Sequence, residues 1–525
     1  MRVRVSRYLW LLPFLTLGAG VLLAGGIAWG TTTGWAGVRF HPPTAPAERW
    51  SAVDDEPVLH PAQPVGSLTP LAALGEQQSS TPVPVQAASR AQYQVQADLD
   101  YSAHTVLVQQ QITYPNRSTD PLAEVVLVVE PNRRPGIFTL REVRVDGRML
   151  PSECCMQGLA LRIPVEPPLQ PGRQTVITLA YVLRLPQISK QAFGGQGTLG
   201  WTPRQINLGD WLPLVATRTE TGWHVPRYSA IGEYAVYDLA DFDVTISVRN
   251  TPEHVHPQVI APGTRTQEGE RLHFQLDRSR SFAWSVSASM GMAETAVGDI
   301  RVESFYFPEH EAAGKAALRV VAAALAQFSR LFGPYPYTSL RIVEGDFLDG
   351  MEYCGLFFLG RDYYAAYDGT PRNYLTTIAA HETAHQWWYC RVGNDPAREP
   401  WLDEALATFS ELLYFEEHHP DAVEWWWDFR VHRFQPRGWV DSSVYEFSSA
   451  RAYINSVYLR GVLFFRDLRA HMGEAALLPA QRDYASAYDG QIATASALWQ
   501  VFDQHSAAPL QPVHARYFRE QAVTR

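Results

Sequence analysis

The chain has 525 residues, 46% hydrophobic and 12% aromatic, enough to bury large cores in more than one domain. Its formal charge is −10, from 44 basic and 54 acidic side chains mixed along the chain, which argues against a nucleic-acid partner and its concentrated basic face. The four cysteines include no Cys-x-x-Cys pair, so neither a disulfide scaffold nor a thiolate zinc site is indicated.

The chain opens with Arg2, Arg4 and Arg7, followed by 23 uncharged residues from 8 to 30. A charged start before an apolar run reads as an export signal, and the run is long enough to cross a bilayer of about 30 Å. The next basic residue is Arg39, a bias that favours an inside N-terminus and an outside body. The expectation is a signal peptide or transmembrane anchor over 1–30. The body then lies on the extracytoplasmic face of the cell membrane, or is secreted. Nine prolines between residues 41 and 90 indicate a Pro-rich linker over 31–92.

From Tyr93 the pattern alternates. Tyr93, Val95, Ala97 and Leu99 face one way, as do Phe242, Val244, Ile246 and Val248 later. Such period-2 runs between turn residues predict an antiparallel β domain over 93–297. Residues 298–525 read as a mixed α/β domain. Leu318, Val321, Leu325, Phe328 and Phe332 mark the apolar face of a first helix. Two strand-like runs follow, then a helix over 374–390, another from near Asp403, and a later one over about 452–471.

The helix over 374–390 contains His-Glu-x-x-His, as His381, Glu382 and His385. Residues i and i+4 share a helix face, so the two imidazoles can reach one ion at about 2.0–2.1 Å. Glu382, one position round, can reach a water at that ion and take its proton. The four-letter pattern also arises on solvated helices, so a third ligand has to decide. Glu404, nineteen residues after His385, opens the next predicted helix and completes a three-donor set. The competing His-x-x-Gly-x-x-His continuation is absent, because Trp388 and Arg391 occupy those places.

His-Glu-x-x-His, eighteen intervening residues, then Glu within Trp401-Leu-Asp-Glu404 resembles the signature of the gluzincin aminopeptidases. These are the membrane alanyl aminopeptidases and their relative leukotriene hydrolase. The resemblance implies a thermolysin-like catalytic domain behind an N-terminal β domain, an α+β multidomain fold. It implies one zinc ion held by His381, His385 and Glu404, with Glu382 as general base. Gly350-Met351-Glu352-Tyr353 resembles the family's Gly-x-Met-Glu-Asn edge strand, with Gly350 shifted and Tyr353 in place of Asn. It makes Glu352, beside Met351, the partner of a substrate's free α-amine. Tyr458-Leu-Arg-Gly461 resembles the family's Tyr-Glu-Lys-Gly and makes Tyr458 the donor to the oxyanion. Many members continue into a large C-terminal helical domain. This chain stops at Arg525, so a short form with a more open site is expected.

The implied activity is removal of the first residue from peptides with a free N-terminus. The alternatives are an endopeptidase or another zinc hydrolase on the same scaffold, and an inactive surface binding module. Glu411, seven residues after Glu404, is placed either to bond a ligating His or in solvent. Cys354 and Cys390 end elements that converge on the metal, which allows a disulfide between them. The family's β-domain amine ligands have no clear match; residues 204–213 are the nearest stretch. Gly195-x-Gly197-x-x-Gly200 has the dinucleotide spacing but opens no helix and reads as a loop.

Overall fold

The computed structural model describes residues 90–151 and 155–519. The N-terminal apolar run, nearly all of the Pro-rich linker and Cys154 lie outside them. Among the described residues, no helix is long and apolar enough to cross a membrane.

The alternating runs become the largest sheet. Ala91–Asp100 buries Tyr93, Val95, Ala97 and Leu99, each at most 3% exposed, and turns its polar residues outward. It lies at the middle of an eight-stranded sheet, between Thr105–Pro115 and Ala240–Arg249. The Ala240–Arg249 partner runs parallel, with Val95 opposite Val244, while the other pairs in that sheet are antiparallel. A parallel pair needs a long crossover, and the chain from 101 to 239 supplies one while building one four-stranded sheet and two strands of another.

Five strands form the second main sheet: Gly291–Val297, Ile300–Tyr306, Ser339–Gly345, Leu356–Gly360 and Gly350–Tyr353. The last of these is an edge strand. It folds back on Leu356–Gly360 through a turn at Cys354 and Gly355, with Glu352 opposite Phe357. Helix α1, Glu311–Phe332, packs on this sheet through Leu318, Val321, Leu325, Phe328 and Phe332, all buried.

Helix α2, Tyr374–Ala384, is buried on every side. Asn373 caps it by accepting a hydrogen bond from the Thr376 N–H at 2.9 Å. It is shorter than the predicted 374–390 helix. After His385 the chain turns back, with Tyr389 at φ 131° and the Cys390 N–H donating to the His385 carbonyl at 3.0 Å. Two tertiary ties override helix propensity here. Trp387 and Trp388 are fully buried, and Cys390 is bonded to Cys354 of the edge-strand turn.

Helix α3, Trp401–His418, packs on α2. The later predicted helix is interrupted. Ala450–Ile454 is followed by a wide turn over Asn455–Leu459 and then by helix α4, Arg460–Met472. A side chain at Gly461 would clash with Ala405, so glycine lets α4 approach α3 closely. That approach brings Tyr458 beside Glu404.

Candidate metal centre

His381 and His385 stand one helical turn apart, with ring centres 4.7 Å from each other. Each Nδ1 is already engaged. His381 Nδ1 lies 2.8 Å from Glu411 Oε1, and His385 Nδ1 lies 2.9 Å from the Trp388 carbonyl. Both neighbours are acceptors, so the proton belongs on Nδ1 and the Nε2 lone pairs are free. Those Nε2 atoms lie 3.1 and 3.5 Å from Glu404 Oε2. Ligand atoms of the three side chains fall within 4.8 Å of one another. Tetrahedral donors at about 2.0–2.2 Å from one zinc ion are separated by about 3.3–3.6 Å, so the set fits zinc.

Glu411 is fully buried and decides the question left open by its spacing. Besides His381, it accepts from Arg430 Nε and Nη2, each at 2.9 Å, and from the Trp426 indole at 3.2 Å. Burial alone would raise its carboxyl, and Arg430 and His381 hold it below the usual range. Neither Trp426 nor Arg430 stands out in the sequence; Trp426 reads there as one of three core tryptophans.

Glu382 is 5% exposed, and its Oε2 has no hydrogen-bond partner. Its other oxygen lies where a side chain at Gly350 would stand, so only glycine leaves room for it there. Burial first, then the charge of Glu352, pushes the Glu382 carboxyl well above the usual carboxylate range. Glu352 is 6% exposed, and one of its oxygens lies within 4.8 Å of ligand atoms of both Glu382 and His385. Met351, half-buried on the same strand, lines the cavity beside it. The Tyr458 hydroxyl donates to Glu404 Oε1, and its ring stacks on His381 with centres 5.8 Å apart.

A residue with no motif completes this side. Glu233 comes from the loop that precedes strand Ala240–Arg249, and its carboxylate lies within 4.8 Å of oxygens of Glu352 and Glu404. Burial, Glu352 and Glu404 together push its carboxyl well up. The stretch 204–213 contributes Asp210, which accepts from the Tyr353 hydroxyl at 3.2 Å. The residue standing where the family has Asn is therefore tied to the β-rich region. Glu233, Asp210, Glu352, Glu382, Tyr458 and the three metal donors line one cavity of about 200 Å³. The Gly195 loop borders it too, as a short turn rather than a nucleotide-binding helix start.

Residues 316–517 match the model of the peptidase family M1 domain. Aminopeptidase M1-D of Oryza sativa subsp. japonica is 27% identical over 228 residues, 40% of this chain and 26% of that protein. Aminopeptidase M1 of Arabidopsis thaliana is 25% identical over 224 residues, with 40% and 25% covered. The aligned part thus spans about a quarter of these plant relatives' length. The crystal structure of an M1 zinc metallopeptidase from Deinococcus radiodurans superposes with a TM-score of 0.58 at 16% identity, covering 84% of this chain and 97% of that one. A mutant of that enzyme bound to a Tyr-Ser-Ala substrate gives a TM-score of 0.56, again at 16% identity, with 83% and 96% covered. The two-domain fold expected from the sequence, β-rich then α+β, is the fold of these structures. Residues 316–517 thus form a peptidase family M1 domain, in agreement with the gluzincin aminopeptidase resemblance of the motifs around His381 and Glu404.

Proposed function

We propose that the protein is a zinc-dependent aminopeptidase that removes the first residue of peptides with a free N-terminus. One observation carries this reading: three metal donors converge beside two further carboxylates, Glu352 and Glu233, in one cavity. Metal donors alone suit any hydrolase. Carboxylates next to them suit a substrate whose charged amine lies one residue from the bond to be cut.

His381, His385 and Glu404 are the residues that would hold zinc. When bound, zinc supplies a Lewis acid that lowers the pKa of water to about 7 and polarises a carbonyl. Glu382 accepts a proton from the attacking water and returns it to the departing nitrogen. Glu352 and Glu233 hold the ammonium group and so fix the register of the peptide. Tyr458 donates to the carbonyl oxygen as that oxygen gains charge. Glu411 and the Trp388 carbonyl hold the imidazoles in orientation.

The test is a panel of aminoacyl-coumarin amides, free and N-acetylated, with and without chelator. Turnover of the free amides only, lost on chelation and restored by zinc, is expected. Equal cleavage of acetylated substrates would favour the endopeptidase reading. Zinc binding without turnover of any substrate would favour a binding module.

We further propose that the body works outside the cytoplasm, exported or held at the membrane by residues 1–30. The Cys354–Cys390 bond supports this, since such bonds persist in oxidising compartments. Reduction-dependent alkylation of both cysteines in native cell fractions checks it.

A further inference from the structure

The cavity continues beyond the amine site. Past Glu352 and Tyr353 its wall is formed by Asp210, Arg133 and Glu130, with the rings of Tyr228 and Tyr234 beside them. Asp210 is exposed there and lies at the Tyr353 hydroxyl. Glu130 sits at the start of the short turn Glu130–Arg133 and is 8% exposed. One of its oxygens accepts from the Tyr234 hydroxyl. The other, Oε1, is enclosed and has no hydrogen-bond partner.

An enclosed carboxylate oxygen without a donor is costly in a chain able to satisfy it. Arg133 is near but does not satisfy it. Its Nη1 donates to the Tyr234 hydroxyl at 3.2 Å, and its guanidinium lies 4.9 Å from the centre of the Tyr228 ring. Arg133 is therefore held on tyrosines, while two carboxylates remain at this end of the cavity. Burial pushes the Glu130 carboxyl up to about 7, against the opposing pull of Tyr234 and Arg133. An incoming cation reverses that penalty, which a solvated carboxylate would not feel.

We propose that this end of the cavity receives the substrate's first side chain and selects a long cationic one, arginine or lysine, with Glu130 as its carboxylate partner and Asp210 beside it. The proposal rests on the aminopeptidase reading, because the amine clamp at Glu352 and Glu233 sets which side chain arrives there. A short side chain leaves Glu130 Oε1 unpaired. An acidic one faces two carboxylates, Glu130 and Asp210, against the single guanidinium of Arg133. The ring face of Tyr228 suits a guanidinium, as it already does for Arg133.

The zinc-loaded enzyme is assayed on arginyl-, lysyl-, alanyl-, leucyl- and glutamyl-coumarin amides. The expected kcat/KM for the two basic substrates exceeds that for leucyl by at least tenfold, and glutamyl is the poorest. In Glu130→Gln, which keeps shape and loses charge, the arginyl-to-leucyl ratio falls at least tenfold. A basic-to-leucyl ratio near one, or an unchanged ratio in Glu130→Gln, overturns the proposal while leaving the aminopeptidase reading intact. Failure to turn over any of these amides sinks the aminopeptidase reading instead. In that case calorimetry with L-argininamide and L-norleucinamide still reads the subsite. Tighter argininamide binding, weakened at least tenfold by Glu130→Gln, supports it, and equal binding of the two amides overturns it.

Discussion

The two walls of the cavity treat charge in opposite ways. On the helical wall, the histidines and the groups behind them have opposite or polar partners supplied by the chain, while Glu382 keeps an oxygen free. His381 is tied to Glu411, Glu411 to Arg430 and Trp426, and His385 to a backbone carbonyl. On the β-facing wall, Glu352 sits on a sheet edge, Glu233 on a loop and Glu130 on a short turn. These carboxylates lie close together or stand unpaired. A wall finished by the chain is ready for a metal before substrate arrives. A wall left short of cations is finished by whatever ligand brings them, which in the proposed function is the substrate's ammonium group.

The sharpest break in this comparison is on the helical wall. Glu382→Gln should lower kcat by about 10²–10⁴-fold, the usual contribution of a positioned base, with zinc content unchanged by plasma emission. Retained turnover would remove Glu382 from proton transfer. Tyr458→Phe comes next, with a loss of about 10²–10³-fold in kcat and zinc again retained. Because the Tyr458 hydroxyl touches Glu404, a loss of zinc instead would recast it as a support for the ligand. Glu411→Gln should weaken zinc binding by about 10–100-fold, measured by chelator competition, by loosening His381. It also leaves Arg430 buried without its carboxylate, so a lower Tm should accompany it.

The helical wall was legible in the sequence because its chemistry is local. The spacings from His381 to His385 and on to Glu404 follow helix geometry, and the Glu352 and Tyr458 stretches carry enough neighbours to be matched. The structure brings all five residues to one cavity, together with Met351. Glu411 was half legible: its register put it on the ligand face, but only Arg430 and Trp426, distant in sequence and without pattern, show it fully buried and ion-paired. On the β-facing wall only Glu352, within its edge-strand motif, was legible. Glu233 follows a glycine in a loop without periodicity, and Glu130 sits where strand alternation has ended. Loop residues reach a site through tertiary contacts, and a single sequence carries no local signal for those. The early end of α2 has the same origin. Nothing between Trp387 and Cys390 breaks a helix by propensity, and the turn is held by packing and by the bond to Cys354.

Glu233 offers the mildest and most discriminating test, because its two expected effects have opposite signs. Its carboxyl is pushed up by burial and by the charges of Glu352 and Glu404. That repulsion strains the folded, metal-free chain, so Glu233→Gln should raise its Tm. If the same carboxylate holds the ammonium group, the substitution should also raise KM for a dipeptide by about tenfold or somewhat more, the worth of one hydrogen bond to a charged group. Turnover at saturation should change little, because the amine is held alike in substrate and transition state. A structural Glu233 predicts the reverse, a lower Tm with KM unchanged. A rise in both Tm and KM would place the unpaired charge of this wall in substrate binding, while the helical wall carries the chemistry.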